Sequence, residues 1–248
     1  AGSRASGAKT HPQVLQEFGG EVTGAPSAYV KRVGERMAGA AGLSGQCTFT
    51  VVNSEVVNAF AVPGCYIYIT RGLLALMNSE DELASVLGHE VGHITADHST
   101  RRQNTAMATT LGAVLAGVLT GSSDVANLAG QLGQVYTLGY SRDQEFQADD
   151  LGVRYLGGAG YNPYAASEML GELGLNDSLE AKTNNRDANN TTPSWARTHP
   201  LSADRVVRAK SRAQAAGANP AQPPRITRSY LEAINGLLVG DDPEQGFV

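Results

Sequence analysis

Leu83, Val86, Leu87, Val91 and Ile94 recur at the spacing that lays apolar side chains along one face of a helix. Ser79-Glu80-Asp81-Glu82 stands just before this run as a capping box, with Ser79 as N-cap, Glu82 at the third helical position and three acids at the positive end of the dipole. The pattern predicts a helix from this box to near Ser99. Gly88 and Gly92 oppose it by about 0.8–1 kcal/mol each relative to Ala, a cost that points to close backbone packing.

A period of two governs two other stretches, Thr48-Phe49-Thr50-Val51-Val52 and Tyr66-Ile67-Tyr68-Ile69-Thr70, each following a cysteine, Cys47 and Cys65. If these strands lie side by side in parallel, the sulfurs are neighbours, and a disulfide can form in an oxidising compartment. Two cysteines without CxxC spacing make no disulfide scaffold, and neither has the surroundings of a metal ligand or nucleophile.

Helical patterns fill most of the rest. Pro26 to Ala40 is amphipathic, Ser141 with Gln144 forms a second capping box for a helix ending at Gly157-Gly158, and Asn162-Pro163 opens another. Ser202 to Ala216 and Arg225 to Val239 follow. Met107 to Thr120 is uncharged but shorter than the ~20 residues needed to span a bilayer, so it predicts a buried helix. The Asn- and Thr-rich stretch from Thr183 to Ser194 predicts a mobile loop. No internal repeat is present. The elements describe an α+β, mainly helical chain, divided into an N-terminal segment 1–24, a main domain 25–218 and a C-terminal helix and tail 219–248.

At 248 residues with 42% hydrophobic content, the chain can bury one sizeable core. Its net charge of −5, with no polybasic tract, argues against nucleic acid as a partner. It begins Ala-Gly-Ser with no apolar leader, so a signal peptide is expected to be absent or removed.

The chemistry lies in His89-Glu90-Val91-Gly92-His93. On a helix the two histidines share a face and can hold zinc at about 2.0–2.1 Å, while Glu90 can take a proton from a metal-activated water. A catalytic zinc takes three protein ligands, so the third must come from elsewhere. Glu145 is the candidate, on the helix opened by Ser141; Asp149 and Gly152 share its face, Asp149 to fix the tautomer of a ligand imidazole and Gly152 to allow close helix approach. An isolated acidic pair would more simply be a solvated face, but a HExxH string elsewhere in the chain argues against that. His98 falls off the ligand face, and His11 is expected to be exposed.

HEVGH followed by EFQAD after a Ser-Arg pair resembles the gluzincin metallopeptidases that include the CaaX prenyl protease, HtpX and the mitochondrial Oma proteases, metallopeptidase family forty-eight. Asn58-Ala59-Phe60-Ala61-Val62-Pro63-Gly64, leading into Tyr66 to Leu74, is similar to the family's NAFALPGG strand pair, and Thr198-His199-Pro200 with Arg205 to its THP box. Cys65 departs from the pattern by standing where a second glycine is usual. In organisation the chain is most similar to soluble periplasmic BepA-like members, because no span is evident.

The resemblance implies a zincin-like domain with a small three-stranded sheet over the HExxH helix, one Zn2+ per chain, and endopeptidase activity with Glu90 as general base. Substrate would lie along the strand of Asn58, Ala59, Phe60 and Ala61. His199 would either reach the metal as a fourth, switching ligand or pack near the cleft and serve the substrate. Arg205 would stabilise the oxyanion or hold a carboxylate of substrate or protein. Implied partners are unfolded or misassembled envelope polypeptides, in the periplasm or cell envelope; no transmembrane span is expected, and association with a membrane surface is the lesser reading. The alternative is a zinc-containing chaperone or assembly factor, against which an intact Glu90 argues. The tail from Asn235 to Gly246 resembles a segment that continues into a further region in longer relatives.

Overall fold

A computed structural model describes residues 2–121, 138–183, 194–221, 226–241, 244 and 246–248. Alternation in the strands decides the layering. β1 (Thr48–Val52), β2 (Ala59–Val62) and β3 (Tyr66–Thr70) form a sheet in the order β1-β3-β2, with β1 parallel and β2 antiparallel to β3. Phe49, Val51, Ala59, Ala61, Ile67 and Ile69 face the main core, whereas Val52, Phe60, Val62 and Tyr68 face a second cluster with Val14 and Phe18 of α1 (Gly2–Glu17). Helices therefore cover both faces, and every residue of β2 is buried.

The main core joins the sheet to α2 (Ala25–Ala40), α3 (Arg71–Leu76) and α4 (Glu80–Thr95). After α4 come α5 (His98–Thr120), α6 (Arg142–Gly158), α7 (Ala165–Thr183), the short α8 (Trp195–Thr198), α9 (Ala203–Ala215) and α10 (Arg228–Ile234). The result is a mainly helical domain with a small mixed sheet, of zincin-like form. The parallel β1–β3 pairing sets Cys47 beside Cys65, and the two are disulfide-bonded with Cα atoms 4.6 Å apart.

Several expectations require correction. Residues 107–120 belong to α5, but Leu111, Leu115 and Leu119 are 61%, 57% and 85% exposed. An uncharged run measures apolar content and not the presence of a neighbour. His11 is half-buried, because α1 lies on the sheet and brings its Nδ1 to 2.7 Å from the Tyr68 hydroxyl. The C-terminal helix is shorter than the span Arg225 to Val239; it ends at Ile234 before Gly236 (φ 87°), and Leu238 then bridges to Phe247. The loop expected from Thr183 to Ser194 falls almost wholly outside the described residues. No helix among the described residues is long and apolar enough to cross a membrane.

Candidate active site

The site is built where α4 crosses α6, and glycine permits that crossing. A Cβ on Gly92 would stand 3.1 Å from the Ala148 carbonyl oxygen, and one on Gly152 would stand 3.4 Å from the His89 backbone nitrogen. Ser79 caps α4 by accepting from the Glu82 amide at 3.2 Å. The Glu82 carboxylate accepts in return from Asn78 rather than Ser79, so the box closes one residue early. Ser141 and Gln144 complete a full capping box at α6. Two rigid, capped helices thus present His89, His93 and Glu145 to one another.

His89 Nε2 and His93 Nε2 are 3.0 Å apart, and the Glu145 carboxylate lies 3.2 Å from the first and 3.1 Å from the second. His199, just beyond α8, adds its ring, and one ligand atom from each of the four residues fits within 4.8 Å of the others. All four are buried. For metal–ligand bonds of about 2.0–2.1 Å a tetrahedral site has ligand atoms roughly 3.3 Å apart, which matches these separations. Both Glu145 oxygens and His199 Nε2 are buried without a hydrogen-bond partner. Each such atom costs about 1–3 kcal/mol if left so, and a divalent cation would satisfy all three. The donor set of imidazoles and one carboxylate is that of zinc.

Groups behind the rings aim them. Asp149 Oδ1 lies 2.9 Å from His89 Nδ1, and Arg205 grips Asp149 through Nε at 2.7 Å and Nη2 at 2.9 Å. Arg205 Nη2 also lies 3.1 Å from Glu145, and Nη1 donates to the carbonyls of His199 and Pro200. Arg205 therefore sits among the chain's own carboxylates and carbonyls. On the other ring, His93 Nδ1 lies 3.0 Å from His98 Nδ1, and His98 Nε2 donates to Gln147 Oε1 at 2.9 Å. With Gln147 accepting, His98 Nδ1 is left to accept from His93, which turns the lone pair of His93 Nε2 toward Glu145.

Sequence reasoning placed His98 off the ligand face by counting five residues along one helix. The chain leaves that helix at Asp97 (φ 59°), and His98 stands behind His93, outside the four residues of the ligand cluster. Sequence reasoning missed Trp195 and Tyr140. Trp195 Nε1 donates to Glu90 Oε1 at 3.2 Å and its ring stacks on His199 with centroids 4.3 Å apart. Tyr140 stacks on His93 at 3.7 Å. An aromatic residue four before a candidate histidine, or one before a helix cap, was the available signal. Glu90 itself is fully buried, with Oε1 3.1 Å from His199 Nε2 and Oε2 unpartnered. Asn58 precedes β2 and accepts from the Thr70 amide, while Ala59, Phe60 and Ala61 run along the edge of the sheet next to α4.

The electrostatics suit a cation. Burial opposes charge on Glu145, but the imidazoles of His199, His93 and His89 outweigh it and hold the carboxyl well below its ordinary range. Burial likewise opposes charge on Glu90, and His199 holds it low. Burial pushes His93 down to about 3, whereas Glu145 and Asp149 overcome burial at His89 and raise it to about 10. Burial also opposes charge on Asp149, which hydrogen bonds from Arg205 and His89 keep ionised.

The model of peptidase family M48 matches residues 25–213. The chain is 30% identical to the beta-barrel assembly-enhancing protease of Yersinia pestis over 195 residues, covering 75% of this chain and 38% of that protein. It is 28% identical to the mitochondrial metalloendopeptidase OMA1 of Schizosaccharomyces pombe, covering 79% of this chain and 56% of that one. With the metalloprotease LoiP of Escherichia coli K12 it shares 31% identity, covering 83% and 79%. The chain thus spans less than half the length of the assembly-enhancing proteases it matches. With the family's model spanning most of the chain, over the same residues that build the buried cluster of histidines and glutamate, the chain belongs to peptidase family M48.

Proposed function

We propose that this chain is a zinc-dependent endopeptidase that acts in the cell envelope. The observation carrying the reading is the convergence of His89, His93 and Glu145 on one buried point with Glu90 beside it. Those three side chains would hold one zinc ion per chain, which when bound supplies Lewis-acid polarisation of the scissile carbonyl and acidifies water. Glu90, kept ionised at the site, takes the proton of the attacking water and passes it to the leaving amine. Asp149 and His98 fix the two imidazole tautomers, and Arg205 holds Asp149 in place. The edge strand β2 offers backbone groups to an extended polypeptide, and a small apolar cavity beside His89 is walled by Val86, Met169, Leu170, Leu173 and Trp195.

His199 makes the enzyme latent. Its Nε2 stands where an open vertex is needed, and with Trp195 it ties up Glu90 Oε1. Withdrawal of residues 195–199 would free the vertex and the base together. An envelope setting agrees with the Cys47–Cys65 disulfide, since such bonds persist in oxidising compartments. The Yersinia pestis relative is a protease that enhances beta-barrel assembly, and on that likeness we read polypeptides of the envelope as the substrate class of this chain.

Casein cleavage provides the test. Activity should vanish with a chelator, return with zinc, and be lost in Glu90→Gln while zinc is retained. A Glu90→Gln variant cleaving at the wild-type rate refutes the assigned base, and casein binding without any cleavage in excess zinc supports a chaperone instead. His199→Ala should raise the rate; an unchanged or lower rate removes latency.

A further inference from the structure

The edge of β2 carries an occupant. Thr70 donates to the Asn58 carbonyl, so Asn58 pairs with β3 by hydrogen bonds. The antiparallel ladder then alternates, and with Ala59 opposite Ile69 and Ala61 opposite Ile67, the N–H and C=O of both alanines turn away from the sheet. Val57, in the same phase, presents its carbonyl outward, where it accepts from the Trp195 amide at 2.8 Å. The outward carbonyl of Ala61 accepts from Arg102 Nη2 of α5 at 3.2 Å.

Arg102 also fastens what lies beside that edge. Its Nη1 donates to the Leu138 carbonyl at 2.6 Å, and its guanidinium carbon lies 4.2 Å from the centre of the Tyr140 ring. Tyr140 stacks on His93 at 3.7 Å, and its amide donates to the Thr198 carbonyl. The sequence Arg102, Tyr140, His93 is a single stack from the sheet edge to the metal cluster. Arg102 Nε is buried without a hydrogen-bond partner, so the guanidinium is not fully satisfied in this position. Ala59 and Ala61 are both wholly buried.

We propose that Arg102 is a latch on the substrate strand: it occupies the Ala61 carbonyl that an extended polypeptide needs and pins Tyr140 over the site, so substrate binds only when Arg102 swings away. This rests on the endopeptidase reading for the direction of substrate entry, and it names a second closure on a different element from His199. The geometry also sets the window that substrate must claim, from Val57 to Ala61, with Trp195 at one end and Arg102 at the other.

Binding can be read apart from catalysis in the zinc-loaded Glu90→Gln protein, using fluorescently labelled, unfolded casein fragments and anisotropy. Adding Arg102→Ala should tighten binding at least fivefold, and Arg102→Lys, whose compact ammonium lacks the planar fork that spans both carbonyls while stacking on Tyr140, should fall between. In the active background the same changes should raise kcat/KM through KM with little change in kcat. Equal or weaker binding by a folded Arg102→Ala protein overturns the latch; if that variant does not fold, the same result with Arg102→Lys does so. If binding tightens yet no protein cleaves casein, hydrolysis is wrong and the latch stands, whereas cleavage with unmoved binding removes the latch alone.

Discussion

Arg205 meets Asp149 edge to edge, Nε to Oδ2 at 2.7 Å and Nη2 to Oδ1 at 2.9 Å, and the same Oδ1 lies 2.9 Å from His89. Both partners are buried, so removing one leaves the other charged and without its bidentate partner, Asp149 with only His89 and Arg205 with only Glu145 and two carbonyls. Arg205→Ala should cost about 3–5 kcal/mol in urea unfolding. Asp149→Ala should weaken zinc by roughly 10–100-fold in chelator competition, since His89 loses the group that aims it. Zinc affinity unchanged in a folded Asp149→Ala protein would show that His89 is oriented by something else.

Metal should stabilise the fold by mass action. The Glu145 oxygens and His199 Nε2, buried without a hydrogen bond, are brought together only in the folded state, so zinc binds there in preference to the unfolded chain. Each tenfold rise in free zinc above its Kd should add about 1.4 kcal/mol to the unfolding free energy. His93→Ala should move the onset of that rise to at least tenfold higher zinc, and an unmoved onset places the metal elsewhere.

Cys65 has φ 60°, a left-handed conformation that glycine adopts without strain. Here a disulfide to Cys47 accompanies the strained residue. Replacing both cysteines by alanine should cost about 3 kcal/mol, the size expected for a loop of this order. Cys47→Ala with Cys65→Gly should recover roughly 1 kcal/mol of it by relieving the backbone. Chemical unfolding of the two double variants compares them directly, and the strain argument fails if alanine proves equal to glycine.

Glu80, the first residue of α4, is buried against Tyr29, Tyr161 and Arg32. Burial alone would raise its pKa, but hydrogen bonds from the two tyrosines and the arginine hold it below the ordinary value. A depressed carboxyl contributes stability in full above its unfolded pKa, and loses it as pH falls through the folded one. Glu80→Gln should therefore be less stable than wild type by about 1.5–3 kcal/mol at pH 7, with the gap closing below about pH 4. A gap independent of pH would assign the effect to packing.

Local signals were legible where their partners lie close in the chain. Ser79, Ser141 and Gln144 satisfy the amides of their own first turns, so both helices of the site were visible in advance, though Glu82 closes its box on Asn78. Gly92 marked the crossing by its poor helix propensity, and a Cβ there would press on the Ala148 carbonyl oxygen at 3.1 Å. Exposure of Leu111, Leu115 and Leu119 was not legible, because burial depends on a distant neighbour that periodicity does not report. The stacking of Tyr140 on His93 and the hydrogen bond from Trp195 to Glu90 lie across separate elements, and no spacing rule links them.

The amino-acid order by itself settled which residues share a face: His89 with His93, Glu145 with Asp149, and the alternating sides of β1 and β3. Those follow from helix and strand periods, which each segment carries within its own backbone. Only the tertiary structure decided which faces meet, bringing His199 and Trp195 onto Glu90, His98 behind His93, and Arg102 onto the edge of the sheet. Such meetings depend on the packing of the whole core, where small changes in helix approach move a side chain by more than the length of a hydrogen bond.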